Sequence, residues 1–220
     1  TQRQIAGEIA WQREYLLKVV PEEGQLIKEE DIQYYDEVPG PELDGKGKII
    51  SNPILSAAVG VDLAISKKQT ADYTSMVAGV IALKEKKPRI FILPDPVNER
   101  LDFKETIARA KALYESIKNR YAAPLFLVED VAYQKVATEM MQAAGISAQP
   151  VKVGTDKRAR FSVAAPFIKD GTVLFPRRGA EGLILQIIYF GVESHDDELD
   201  ACVHLILGVN SQIGMQPLDV

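Results

Sequence analysis

Ser56-Ala57-Ala58-Val59-Gly60-Val61-Asp62-Leu63-Ala64 reads as a β-strand whose side chains sort by parity. Val59, Val61 and Leu63 fall on one face, and Ala58, Gly60, Asp62 and Ala64 on the other. A strand covered on both sides normally carries bulk on both, so the small residues around Asp62 leave room for something to approach that carboxylate. Downstream, a turn through residues 66–70 leads to a second strand over 73–83. Glu85-Lys86-Lys87-Pro88 then turns the chain into a third strand over 89–93, antiparallel to the second. A helix over 103–120 precedes the apolar run Pro124-Leu125-Phe126-Leu127-Val128, a buried central strand that ends in Glu129-Asp130. A helix over 135–144 stops at Gly145, a fifth strand spans 148–153, and a helical stretch covers 157–168. A short strand over 172–176 and helices around 182–189 and 196–209 complete the pattern. The order βββαβαβ followed by helices describes an α/β chain with a mixed sheet.

The last helix opens on Ser194-His195-Asp196-Asp197-Glu198-Leu199-Asp200-Ala201, four carboxylates in five residues. Ser194 as an N-cap, with Asp196, Asp197 and Glu198 favouring the helix dipole, accounts for three of them. Asp200 lies a turn further in and shares a face with Asp197. The turns that follow are apolar (Cys202, Val203, Leu205, Ile206, Val209), so the acidic stripe looks into a cleft. Carboxylates at the ends of the first and fourth strands and on a late helix are what a two-metal phosphoryl-transfer site requires. There, two divalent ions roughly 4 Å apart are bridged and flanked by acids. Asp62, Glu129 or Asp130, and Asp197 with Asp200 supply that set. Strand parity places Glu129 with Leu125 and Leu127, and Asp130 on the opposite face.

The chain has 220 residues, 46% of them hydrophobic, enough for one ordinary domain with an extension. A net charge of -5 excludes a uniformly basic nucleic-acid coat but not a local basic track. Lys157, Arg158 and Arg160 form a candidate track, expected to meet phosphates or, as the alternative, to be solvated surface, with Lys152, Lys169 and Arg177-Arg178 nearby in sequence. Phe161 and Phe167 read as core, which favours backbone contacts to duplex DNA over base stacking. The single cysteine, Cys202, excludes an internal disulfide and reads as core. No apolar run is long enough for a membrane span and no signal pattern is visible, so a soluble protein is expected. His195 and His204 could tune the acidic site or be structural.

Three blocks together carry a family resemblance: Val59-Gly60-Val61-Asp62-Leu63-Ala64 with Ala71-Asp72-Tyr73-Thr74-Ser75; Val128-Glu129-Asp130-Val131-Ala132-Tyr133-Gln134-Lys135; and His195-Asp196-Asp197-Glu198-Leu199-Asp200-Ala201. In this order they resemble the ribonuclease-H-like nucleases, and within them the C-terminal nuclease domain of bacteriophage large terminase subunits. The resemblance spans about residues 56–210. Trp11-Gln12-Arg13-Glu14-Tyr15-Leu16 and Ile32-Gln33-Tyr34-Tyr35-Asp36 are similar to the segment that joins the ATPase and nuclease parts in that family.

The resemblance implies a mixed sheet of five or more strands flanked by helices over residues 51–220, with 1–50 as a linker from an upstream ATPase part. It implies a metal-dependent endonuclease that cuts double-stranded viral DNA concatemers during packaging, with two Mg²⁺ or Mn²⁺ ions. Asp62 matches the metal-bridging aspartate of the first strand. Glu129 matches the fourth-strand acid of related resolvases, with Asp130 as its competitor, and Asp197 and Asp200 match the late-helix pair. Portal and small terminase subunit as partners, and the cytoplasm of an infected bacterial host as location, follow from the same resemblance. No Gly-x-x-x-x-Gly-Lys-Ser/Thr loop occurs, so the ATP-driven motor is expected on another part of the protein.

Three other readings compete. An actin-like or sugar-kinase-like ATPase also opens with Gly-x-Asp on a first strand, but it needs glycine-rich phosphate turns and two lobes. A non-cleaving DNA-binding or motor-docking module would keep the fold without the chemistry. A resolvase-like nuclease would share the metal chemistry.

Overall fold

The computed structural model describes residues 25–63, 73–129, 132–152, 156–191 and 196–214. Its centre is a mixed sheet of eight strands among the described residues. They are β1 (Tyr34–Tyr35), β4 (Ile54–Asp62), β5 (Thr74–Lys84), β6 (Lys87–Ile92), β7 (Val97–Glu99), β8 (Pro124–Glu129), β9 (Ala148–Val151) and β10 (Val173–Pro176). The remaining two, β2 (Glu42–Leu43) and β3 (Ile49–Ser51), form a separate antiparallel hairpin. In the main sheet the order is β1-β10-β6-β5-β4-β8-β9, with β7 paired to β5. As expected, β4, β5 and β6 are antiparallel neighbours and β8 is a buried interior strand; it lies one from the sheet edge rather than at the centre, running parallel to both β4 and β9. Glu85 and Lys86, both at positive φ, close the β5–β6 hairpin with the twist a two-residue turn demands.

Five α-helices among the described residues cover the two faces: α1 (Phe103–Arg120), α2 (Ala132–Ala143), α3 (Lys157–Lys169), α4 (Glu181–Ile188) and α5 (Asp197–Ile213). On one face Ala110, Tyr114 and Ile117 of α1 and Ala137 and Met141 of α2 pack on Val59, Val61, Phe126 and Val128. On the other, Phe161 and Ile168 of α3, Leu183 and Ile187 of α4 and Leu205 and Val209 of α5 pack with Ala58, Val77 and Leu127. The alternation read along β4 thus sends its branched residues to α1 and α2, and its small residues to α5. Asp102 caps α1 by accepting from the Glu105 backbone N–H, and Glu105 accepts in return from Asp102 N–H, a reciprocal cap that fixes where this helix starts.

Part of the segment read as a linker packs into this domain. Ile27 and Ile32 are buried with α3 and α4, and the Tyr35 hydroxyl donates to the Ile92 carbonyl at 2.6 Å. Strand β1 extends the sheet beside β10 through Tyr34↔Phe175 and Tyr35↔Pro176. The Trp11–Leu16 segment and the turn over residues 66–70 lie outside the described residues, as do Asp130, Ser194 and His195.

Candidate metal centre

The carboxylates gather where two parallel strands end. Val61 of β4 pairs with Val128 of β8, so Asp62 and Glu129 are the next residues on adjacent strands. Equal register on parallel strands turns their side chains to the same face, the one covered by α3 and α5. On α5, Asp197 and Asp200 are three residues apart and both buried, as the helical period requires for residues facing the sheet.

Helix α5 can lie this close because of glycines. A Cβ at Gly60 would stand 1.9 Å from the Ala201 carbonyl oxygen and 2.6 Å from the Leu205 backbone nitrogen. The bare patch beside Asp62 is therefore filled by the backbone of the helix that carries the other acids. On the helix side, Gly208 presses against Leu127, whose nearest carbon would be 2.7 Å from a Cβ there.

Two further contacts fix the acidic end of α5. His204 is fully buried and its Nδ1 lies 2.9 Å from the carbonyl of Val61, the residue before Asp62. A carbonyl only accepts, so Nδ1 carries the hydrogen and donates. Burial holds the imidazole below its ordinary pKa, against the hydrogen bond to Val61 and the charges of Glu129 and Asp200, so the neutral ring is favoured. Asp196, the first residue outside the helix, makes no side-chain cap. Instead Gln186 of α4 accepts from the Leu199 backbone N–H at 3.0 Å and donates to Glu198 Oε2 at 3.3 Å.

The electrostatics are those of crowded acids. Burial, then Asp200, Asp197 and Glu129, push Asp62 up to about 7, with Lys157 opposing. Burial and Asp197 push Glu198 up to about 7 as well. Two cations of α3 reach into the cluster. Lys157 Nζ contacts Asp196 and lies 2.5 Å from Asp200 Oδ2. Arg160 Nη1 donates to Glu129 at 2.8 Å and Nη2 to Asp200 at 3.2 Å. Burial pulls the Lys157 ammonium down, but its hydrogen bonds to Asp196 and Asp200 outweigh this and hold it above its usual value.

Of the expected residues, Asp62, Glu129, Asp197 and Asp200 are thus brought to one end of the sheet. Among the described residues no three His, Cys, Asp or Glu groups stand close enough to hold an ion as placed. The donor chemistry nonetheless fits a hard divalent cation, which takes carboxylate oxygens, and Asp62, raised by burial first and then by the neighbouring acids, is the carboxylate that a cation would favour in its charged form. The basic trio splits. Arg158 faces outward, while Lys157 and Arg160, expected to meet phosphates, turn inward to the acids because residues 157 and 160 share the face of α3 next to α5. Arg177 pairs instead with Asp36 at 2.5 Å. Signals for His204 and Gln186 were weak. His204 is spaced i+4 from Asp200, whereas no local pattern links Gln186 to α5. A cavity of about 770 Å³ lies at the opposite, Ile54 end of β4, lined by Tyr35, Asp36, Ile54, Arg120, Tyr121 and Arg177, apart from the carboxylates.

Fold and site together define a mixed α/β domain of the kind the ribonuclease-H-like resemblance implied, with acids at the carboxyl ends of central parallel strands. More particularly, the chain has the fold of the large-terminase nuclease domain. It superposes on the large terminase nuclease of thermophilic phage G20c with bound magnesium at a TM-score of 0.54 and 15% identity, over 86% of this chain and 98% of that one. The zinc-bound form of the G20c nuclease gives 0.52 at 16% identity, covering 83% and 95%. The large terminase of another thermophilic bacteriophage, in complex with ADP, gives 0.51 at 13% identity, over 71% of this chain and 40% of that longer one. No protein-family model and no curated protein matches the sequence significantly. Among the described residues no helix is long and apolar enough to cross a membrane.

Proposed function

We propose that this chain is a divalent-metal-dependent endonuclease that cuts double-stranded viral DNA concatemers during genome packaging. The observation that carries this reading is the convergence of Asp62, Glu129, Asp197 and Asp200 on one face from two adjacent strand ends and a facing helix. Asp62, Glu129, Asp197 and Asp200 would hold two Mg²⁺ or Mn²⁺ ions. Bound there, the ions supply a nucleophilic water and neutralise the leaving oxygen. The chain's own residues orient the ligands. His204 ties α5 to the strand residue before Asp62, Gln186 fixes the first turn of α5, and Gly60 sets the distance between helix and strand. Arg158, on the outward face of α3, faces the approach of a phosphate backbone, while Lys157 and Arg160 are turned to the acids. An ATPase part, a portal and a small terminase subunit are the partners this reading implies, in the cytoplasm of an infected bacterium.

Cutting of supercoiled plasmid with Mg²⁺ or Mn²⁺, and none in chelator, is the expected result. Cleavage that survives chelation, or none with Mn²⁺ at any protein concentration, overturns the reading. One observation favours a second reading. Lys157 and Arg160 already satisfy much of the acidic cluster, as they would in a non-cleaving DNA-binding or docking module of the same fold. That module would bind duplex and leave the plasmid intact with every metal.

A further inference from the structure

We infer that Lys157 and Arg160 are exchangeable counter-ions of the carboxylate cluster, surrendering Glu129 and Asp200 when a divalent ion binds and then turning to the DNA phosphates. The inference rests on the nuclease reading and adds a coupling to it: metal and DNA each favour the other's binding through the same two side chains.

The geometry carries the argument. An ion at Asp200 would compete with two cations, since Lys157 Nζ lies 2.5 Å from its Oδ2 and Arg160 Nη2 lies 3.2 Å from its Oδ1, one on each oxygen. Glu129 is held by the other arm of the same guanidinium at 2.8 Å. The fork of Arg160 is divided between carboxylates on different elements. Its third nitrogen, Nε, is buried with no hydrogen-bond partner. A guanidinium in its favoured state meets one carboxylate through two parallel bonds and leaves no buried donor unmet. Arg160 is therefore held by charge more than by fit, and a better-fitting cation can replace it.

Lys157 and Arg160 sit in the first turn of α3, one helical turn apart; the Lys157 side chain is already a third exposed, whereas that of Arg160 is 11% exposed and has the more enclosed site to leave. Arg158 lies between them on the outward face. Rotation of the two long side chains outward would join them to Arg158 in one basic patch beside the acids. By linkage, whatever draws these cations off the acids raises metal affinity, and metal raises the number of cations open to phosphate by the same free energy.

Two measurements on the full 220-residue chain test this. In calorimetric titration with Ca²⁺ and no DNA, Arg160→Gln and Lys157→Gln should each tighten ion binding, roughly three- to tenfold, because a competitor is gone. Weaker or unchanged binding in both, in variants whose melting shows them folded, overturns the exchange. For binding to a short duplex by anisotropy, the salt slope of the double variant K157Q/R160Q should be smaller than wild type by about 2 in Ca²⁺ and equal to it in chelator. An equal reduction under both conditions means the cations face phosphate regardless of metal. No reduction under either means they stay on the acids. Each overturns the exchange. A wild type that cuts plasmid but shows either of these patterns loses only the coupling, whereas one that binds neither Ca²⁺ nor duplex loses the nuclease reading as well.

Discussion

A Cβ placed on Gly60 would lie 1.9 Å from the carbonyl oxygen of Ala201. Both neighbours at this contact, the Ala201 oxygen and the Leu205 nitrogen, are backbone atoms of α5 and have no rotamer to move. Gly60→Ala must then push the helix off the strand that carries Asp62. We expect a loss of about 3 kcal/mol or more, read as a large fall in Tm, together with loss of metal-dependent cutting. Gly79→Ala is the control. Its Cβ would meet side-chain atoms, Ile90 Cγ2 at 3.0 Å and Leu205 Cδ2 at 3.1 Å, which can give way, so its effect should be much the smaller. Equal effects would show that the α5–β4 approach has slack.

The hydrogen bond from His204 to the Val61 carbonyl yields a second expectation. His204→Leu removes this buried hydrogen bond beside Asp62 and should cost about 1 kcal/mol. His204→Asn can present an amide N–H near the place of Nδ1, so it should recover part of the stability and more of the cutting than Leu does. Thermal melts and plasmid assays on the two variants check this. Equal damage by both would assign His204 to plain packing.

Much of this architecture is legible in the sequence, for reasons that differ by element. Strands β4, β5, β6 and β8 and helix α1 declare themselves because their burial pattern is local and periodic. Strands β1, β2, β3 and β7 have two or three residues each, too few for a period. Strand β1 exists because Tyr34 and Tyr35 meet Phe175 and Pro176, partners about 140 residues away that no window spans. The small face around Asp62 was visible, but not what would fill it: chain topology, not composition, brings Ala201 there. The same holds for Lys157 and Arg160. Their density marks a basic track, while their direction depends on α3 packing beside α5.

Glu198 gives a pH test of stability separate from any cutting. Burial, then Asp197, raise its carboxyl from 4.5 to about 7 in the folded protein. Between those values the native state holds a proton that the unfolded chain has released, so stability falls as pH rises. The contribution is complete below about pH 4.5 and lost above about 7. Glu198→Gln keeps the shape and the acceptor for Gln186 without the charge. It should raise stability at pH 8 by about 2 kcal/mol and change little at pH 4. A variant equally stabilising at both values would remove ionisation as the cause.

The last prediction separates Glu129 from its neighbour Asp130. Glu129 is one residue beyond Val128, the partner of Val61, and shares a face with Asp62 across the strand gap. Its carboxylate already meets Arg160 of α3 at 2.8 Å, which places it among the acids rather than in the turn. Side-chain alternation sends the next residue the other way if the strand continues regular; Asp130 itself lies outside the described residues. Glu129→Ala should therefore abolish cutting. Its effect on Tm should be small, since Arg160 keeps Asp200 and the variant removes one of several mutually repelling acids. Asp62→Asn should likewise abolish cutting, and in chelator it should melt higher than wild type because it relieves that repulsion. Asp130→Ala should retain cutting and mainly lower Tm. If Asp130→Ala is folded and inactive while Glu129→Ala still cuts, the ligand is Asp130, and Glu129 is the structural partner of Arg160.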